Sequence, residues 1–168
     1  MVGVLIILGT TLLPQFGTDR FRTLADTSAG TGFFRLRLWQ SAWAMLGDHP
    51  WLGVGLDNFL YQYRTHYILP DAWQEPNLSH PHNILLDFAT RLGVGGLIVL
   101  AWLQLAFWQV AWPLYRRLPQ AADKALILGL MGSMVATLAH GLVDQSFFLV
   151  DLAFIFALAL GGVRRLGD

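Results

Sequence analysis

The amino-acid sequence predicts an all-α, polytopic membrane protein with about four transmembrane helices and one large external loop containing an amphipathic helix. Composition is the first observation behind this. Of 168 residues, 55% are hydrophobic and only 13% are charged, whereas soluble domains average roughly 25% charge. Four long apolar stretches are the second: too many for so short a chain to bury in water, and too many for one cleavable leader to explain. The third is the placement of basic residues in short flanks, Arg116, Arg117 and Lys124 in one and Arg164 and Arg165 in the other. The positive-inside rule assigns such flanks to the cytoplasmic side. A formal net charge of zero leaves no electrostatic footprint for nucleic acid. The absence of cysteine excludes disulfide and thiolate chemistry.

The first stretch, VGVLIILGTTLLPQF (2–16), is shorter than the roughly 20 residues a spanning helix needs. It fits a short helix or a span truncated at its N-terminus, and truncation is the expectation. Residues 17–82 follow as the external loop. Within it, FFRLRLWQSAWAML (33–46) has helical periodicity, with Phe34, Leu38, Trp39, Ala42 and Met45 on one broad face and Arg35 and Arg37 elsewhere. A helix of this kind lies along the interface, its aromatic edge among headgroups and its arginines reaching polar ground. GDHP ends it, with Gly47 in the left-handed cap position and Pro50 blocking continuation. WLGVGLDNF (51–59) reads as a glycine-rich turn, without the preceding strand that a phosphate-cradling loop requires.

The second span occupies 84–114, interrupted by Gly93, Gly95 and Gly96 and stopped at Pro113, with its clean crossing part at 96–112. The third lies within 125–143 and the fourth within 147–163. Gly129, Gly132, Ser133 and Ala136 in the third allow close helix packing in lipid. The resulting topology puts 17–82 and 139–146 outside and 115–124 and the C-terminus inside.

Five of the ten arginines, Arg20, Arg22, Arg35, Arg37 and Arg64, fall on the outer side. Long loops are exempt from the charge rule, so these are either solvated surface charge or planar donor forks for phosphate. In SHPHN (79–83), Ser79 is an N-cap with Pro81 in the first turn, which places His82 and Asn83 in the opening turns of the helix. A histidine there acts as a base on a hydroxyl, or serves only as a cap and interfacial anchor. Zinc needs three or four ligands. Beyond His80 and His82 the sequence offers only Glu75 and His66, loosely placed, so no metal is expected. Asp144 lies in HGLVDQS, with His140 one helical turn before it. Asp151 lies about one turn inside the fourth span, where a carboxylate needs pairing or hydration. Asp87 and Arg91 have same-face spacing and neutralise one another in an aqueous vestibule. Polar groups thus gather on the outer side only, as an external cavity requires.

FRLRLWQSAWAMLGDHPWLGVGLDNF, then HPHNILLDFATRLGVGGLIVL, then HGLVDQSFFLVDLAF, taken in order and spacing, resemble the O-antigen ligase and polymerase family of bacterial inner-membrane glycosyltransferases over residues 31–157. The resemblance implies that the chain is the C-terminal part of a larger membrane enzyme with a periplasmic loop over its site. The donor it implies is a glycan on undecaprenyl pyrophosphate. The acceptor is a glycolipid, a glycan or a glycoprotein, and transfer proceeds among membrane lipids without metal or cofactor. Arg35, ahead of Trp39 in an R-x-x-x-W block, is implied to hold the pyrophosphate, with Arg37 and Arg64 as further phosphate-facing arginines. His82 is implied to activate the acceptor hydroxyl, with His80 its close rival. Asp144 matches the H-G-x-x-D block and supports the site along with His140, Asn83, Asp87 and Arg91. The upstream arginines of the family are absent, so these residues are not expected to act alone. A transporter or channel fragment would need charged groups at mid-span, where the second span has only Gln104. A non-catalytic membrane subunit would use the loop tryptophans and tyrosines as contact anchors for a partner protein.

Overall fold

The computed structural model describes residues 30–144, 147–148, 153–154, 156–159 and 161–162. The expected first span, Arg20 and Arg22, Asp151 and the Arg164–Arg165 flank lie outside these residues. Among the described residues the regular structure is helical throughout, without strands. The α-helices are α1 (Gly30–Asp48), α2 (Phe59–Gln62), α3 (Ile84–Arg117) and α4 (Ala121–Gly141). A π-helical turn at Tyr63–Tyr67 and a 3-10 turn at Pro70–Ala72 connect α2 to α3. Residues 153–154, 156–159 and 161–162, within the expected fourth span, are helical as well.

Helix α1 forms where the periodicity requires it. Leu38, Ala42 and Met45 are fully buried and pack with Phe59, Tyr63 and Leu86. Ser41 shares the buried stripe because its hydroxyl is satisfied: Oγ donates to the carbonyls of Tyr67 at 2.7 Å and Arg37 at 3.1 Å. Gly47 does not adopt the expected left-handed cap. The His49 N–H still reaches the Met45 carbonyl at 3.0 Å, so helical bonding runs straight through Gly47. The chain turns later, at Gly53 and Gly55, whose φ values are 63° and 98°.

Helices α3 and α4 form an antiparallel hairpin. Ile127, Met131 and Met134 of α4 pack on Phe107 and Ala111 of α3, joined by Phe156 and Ala159. At the other end Leu138 reaches the Ile84–Phe88–Leu100 cluster. Helix α3 breaks at Gly93, where φ is 67° and ψ is −157°. Beyond the break, Val94–Arg117 rises about 36 Å, and the 21 residues of α4 rise about 31 Å. Both match a hydrocarbon core of about 30 Å, and both are long and apolar enough to cross a membrane. The most apolar window of α4 is only 17% buried, with Leu126, Leu128 and Val135 facing outward. Pro113 does not end α3 as expected. The helix continues to Arg117, because Leu114 and Tyr115 beyond it pack against the same core as Phe107 and Ala111. That packing offsets the one helical bond that proline cannot donate.

The break at Gly93 positions everything on its N-terminal side. It exposes backbone groups that the 50–55 turn then satisfies. Val54 and Gly55 N–H donate to the Thr90 and Arg91 carbonyls at 2.8 and 3.0 Å, and Val94 N–H donates to the Pro50 carbonyl at 2.7 Å. The backbones meet so closely that a Cβ on Gly93 would lie 2.4 Å from the Trp51 carbonyl, and one on Gly53 would lie 2.4 Å from that of Thr90. Gly93→Ala and Gly53→Ala should therefore each cost at least about 1–3 kcal/mol, combining a disfavoured positive φ with a backbone clash. Gly129→Ala is the control: a Cβ there meets nothing within 4 Å, and alanine favours a helix by about 1 kcal/mol. Melting temperatures of the detergent-purified proteins check this, and equal melting of Gly93→Ala and Gly129→Ala would refute the docking account.

Candidate active site

The HPHN segment enters α3 four residues later than Ser79 capping predicts. Asn83 is the N-cap, with extended backbone and a side-chain oxygen that accepts from Leu85 N–H at 3.0 Å and Leu86 N–H at 3.1 Å. Asparagine is among the best N-caps, which explains the shift. Ser79 instead sits 3.1 Å from His80 Nδ1 through its hydroxyl. His82 is thereby left outside the helix at φ 50°, the one non-glycine residue with positive φ among the described residues. Histidine tolerates that region better than most side chains, but the conformation is uncommon and persists only where its surroundings enforce it.

Three contacts enforce it. Trp39 Nε1 of α1 donates to the Pro81 carbonyl at 2.8 Å. Asn83 Nδ2 donates to the Leu142 carbonyl at 3.0 Å, just past α4. His82 Nδ1 lies 2.7 Å from Asp144 Oδ1. The blocks around residues 35–39, 80–83 and 140–144 therefore meet at one end of the hairpin, and Arg116, Arg117 and Lys124 lie at the other. A carboxylate only accepts, so Nδ1 carries the proton in the His82–Asp144 bond and the neutral ring keeps its lone pair on Nε2.

His80 stacks beside this dyad, its ring centroid 4.2 Å from that of His82 and its Nε2 4.0 Å from Asp144 Oδ1. Burial, followed by the neighbouring His82 and then Arg91, pushes His80 down to about 4, and Asp144 offsets this only in part. His80 is therefore neutral at pH 7. His82 also lines a small cleft of about 60 Å³, together with Arg35, Glu75, Phe34, Leu38 and Leu78. Arg35 and His82, 47 residues apart, thus border one cavity.

Asp87 and Arg91 form the expected pair, Nε to Oδ1 at 2.6 Å, but it is buried rather than in an aqueous vestibule: the side chains are 3% and 7% exposed. The Arg91 guanidinium also donates to the carbonyls of Leu56 and Ser79 and lies over the Phe148 ring. Other expected residues are not brought to the cleft. Arg37 is engaged by Asp71 at 2.7 Å, by Gln40 at 2.9 Å and by the Phe33 ring. Arg64 is exposed in the π-helical turn. The His140 side chain is exposed, and its carbonyl closes the turn onto Val143 and Asp144. Glu75 lines the cleft although the sequence presented it only as a loose zinc ligand.

Zinc was set aside in the sequence for want of a third ligand, and the fold supplies one: single donor atoms of His80, His82 and Asp144 lie within 4.8 Å of one another. The spacing is nevertheless that of a hydrogen bond. Two donors on one zinc, each at about 2.0–2.1 Å, stand roughly 3.3 Å apart, not the 2.7 Å between His82 and Asp144.

The O-antigen ligase family model matches residues 1–101, well over half of the chain. The chain belongs to the O-antigen ligase family. The match takes in Arg35, Trp39, His80, His82, Asn83, Asp87 and Arg91 and stops before His140 and Asp144, so Asp144 joins the site through the fold. It also begins and ends earlier than the expected 31–157. No curated protein and no solved structure matches the chain.

The placement of His80 has a consequence for pH. Its folded value of about 4 lies below an unfolded value near 6.5, so between these the unfolded chain binds more protons. The neutral ring's contribution to stability is complete above about pH 6.5 and is lost as pH falls toward about 4. His80→Gln should flatten this slope. Melting temperature against pH over about 4.5–7.5 checks it, and parallel curves for the two proteins would contradict the described burial of His80.

Proposed function

We propose that this chain carries the acceptor-activating and pyrophosphate-binding elements of a metal-independent glycosyltransferase on the periplasmic face of the bacterial inner membrane. In this reading a glycan passes from undecaprenyl pyrophosphate to an acceptor hydroxyl on a glycolipid, glycan or glycoprotein. The observation that carries it is the cleft bordered by both Arg35 and His82, with His82 Nδ1 held by Asp144.

The chemistry follows from the groups at hand. The acceptor O–H gives its proton to His82 Nε2 while its oxygen attacks the anomeric carbon of the donor sugar. The bond from that carbon to the pyrophosphate oxygen breaks, and negative charge grows on the leaving group. Arg35 meets that charge with a planar donor fork, and stabilisation of this kind is a large term in enzymatic rate acceleration. His82 then passes the proton to the departing pyrophosphate or to solvent. A single displacement of this type inverts the anomeric centre. Asp144 acts through His82 by fixing the tautomer that leaves Nε2 free, a positioning role like that of the aspartate in hydrolase triads. Arg37 and Arg64 serve the carrier outside the cleft, through headgroup or phosphate contacts.

His82→Ala should lower turnover by roughly 10²–10⁴, and Asp144→Asn by up to about 10⁴, because an amide can donate to Nδ1 and reverse the tautomer. Arg35→Ala should impair use of the pyrophosphate donor, and Arg35→Lys should restore little, since one ammonium does not reproduce a fork. The measurement is transfer from purified undecaprenyl pyrophosphate glycan with membrane abundance matched. Wild-type turnover by His82→Ala would remove it as the base. A chelator should leave the rate unchanged; loss on chelation with recovery on adding zinc would favour a metal held by His80, His82 and Asp144 instead.

Orientation has its own test. Asn77 and Gln120 lie at opposite ends of the hairpin, and both are exposed. A cysteine at Asn77 should react with an impermeant reagent in intact spheroplasts, and one at Gln120 should not. The reverse pattern would invert the topology.

A further inference from the structure

We infer that the Arg35–His82 cleft contains a sugar-hydroxyl subsite whose hydrogen-bond acceptor is Glu75 and whose apolar wall is Phe34 and Leu78. The inference rests on reading the cleft as a glycosyltransfer site and names the part of the substrate that enters it.

Glu75 is held in place by its neighbours. Its N–H closes a turn on the Ala72 carbonyl at 3.1 Å, and the Ala72 side chain is buried. One residue further back, Asp71 is bound to Arg37 at 2.7 Å, which fastens the turn to α1. Arg37 therefore has a use without entering the cleft: it fixes Glu75 on a wall that α1 also lines through Arg35. Pro76 follows and restricts Glu75 to extended backbone.

Opposite charges now face one small space without neutralising each other. Among the described residues neither Arg35 nor Glu75 takes part in an ion pair, whereas Arg37 and Arg91 each pair with an aspartate. Glu75 is exposed and solvated; pyrophosphate alone would be repelled by it, whereas a ligand that also brings hydrogen-bond donors replaces that water. A carboxylate only accepts, and sugar hydroxyls are the donors that glycosyl transfer supplies. Phe34 and Leu78, both partly exposed, offer an apolar surface that suits the C–H edge of a pyranose. At about 60 Å³ the cleft is far smaller than the roughly 300–1,000 Å³ typical of whole ligand sites. That suits a notch taking the hydroxyl-bearing edge of one sugar rather than a whole ring or glycan.

The hydroxyls belong either to the donor's first sugar, beside the pyrophosphate, or to the acceptor's terminal sugar, beside His82. Steady-state kinetics of the full chain in liposomes separates these sources. The donor probe is an undecaprenyl pyrophosphate-linked repeat unit. The acceptors are O-antigen-free lipopolysaccharide for ligation and a second donor molecule for polymerisation. Glu75→Gln, which keeps the shape but presents an amide, should raise one KM roughly tenfold, as loss of a charge-assisted hydrogen bond would, with kcat changing less than about threefold. Glu75→Asp should fall between wild type and Glu75→Gln. A higher acceptor KM assigns the subsite to the acceptor sugar, and a higher donor KM assigns it to the donor sugar. Unchanged KM values for both, or a fall in kcat alone, would overturn the inference. Arg35→Ala and His82→Ala measured alongside keep the two readings apart. If those variants are impaired and both Glu75 variants match wild type, only the subsite fails. If they turn over normally, the transfer reading itself fails.

Discussion

The architecture at the site end depends on one buried guanidinium. Arg91 pairs with Asp87 one helical turn earlier, donates to the Leu56 and Ser79 carbonyls, approaches Asp57 at 3.6 Å and lies over Phe148. Four segments therefore share one cation: the glycine-rich turn, the stretch leading to the histidines, the first turns of α3 and the bend at Phe148. A buried pair contributes little net stability over apolar residues of the same shape, but breaking it by removing one partner leaves a lone buried charge, at a cost of several kcal/mol. Such a constraint selects among arrangements more than it adds binding energy. It dictates where residues 79–83 enter α3, and hence where His82 faces.

The break at Gly93 works with Arg91. A continuous helix would bond the Thr90 and Arg91 carbonyls internally and leave the 50–55 turn nothing to bind. Positive φ at Gly93 releases them, and Val54 and Gly55 take them up. The same break separates α3 by environment. Its first turns carry the buried Asp87, Thr90 and Arg91, all satisfied within the protein. The remainder presents Ile98, Val99, Trp102 and Leu105 outward, the surface a bilayer requires. Backbone irregularity is tolerated near lipid only where protein satisfies the freed groups, and here the folded 50–55 turn satisfies them.

Periodicity and hydropathy made much of this legible. The stripe Leu38–Ala42–Met45 marks α1, the long apolar runs mark α3 and α4, and the i,i+4 spacing marks the Asp87–Arg91 pair. What sequence reasoning missed arose from competition between plausible local signals. Both Ser79 and Asn83 are good N-caps, and choosing between them required knowing that Asn83 could also reach Leu142. Gly47 and Pro113 are helix-ending residues whose local preference is overridden by bonding and packing on either side. Glu75 had no signal, because its role depends on a turn fastened by Arg37 and Asp71 across 34 positions. The Trp39 contact to Pro81 was half-legible: Trp39 follows Arg35 by one helical turn, so whatever Trp39 touches lies on the side that Arg35 faces.

The long-range contacts also account for the odd conformation of His82. A histidine within the first turn of α3 would have its ring directed by helical geometry, along the barrel of the helix. Capping by Asn83 places His82 one residue outside, and positive φ swings its ring between Asp144 and the cleft. Trp39 holds Pro81 from one side and Asn83 holds Leu142 from the other, so the strain is fixed by groups that do no chemistry themselves. Strain stored in this way is characteristic of residues whose direction matters more than their contribution to stability. His80, two positions earlier, shows the contrast. It is deeper and kept neutral, and it touches the same carboxylate only at 4.0 Å. Of two histidines in one short motif, the fold gives His82 both the hydrogen bond to Asp144 and a place on the wall of the cleft.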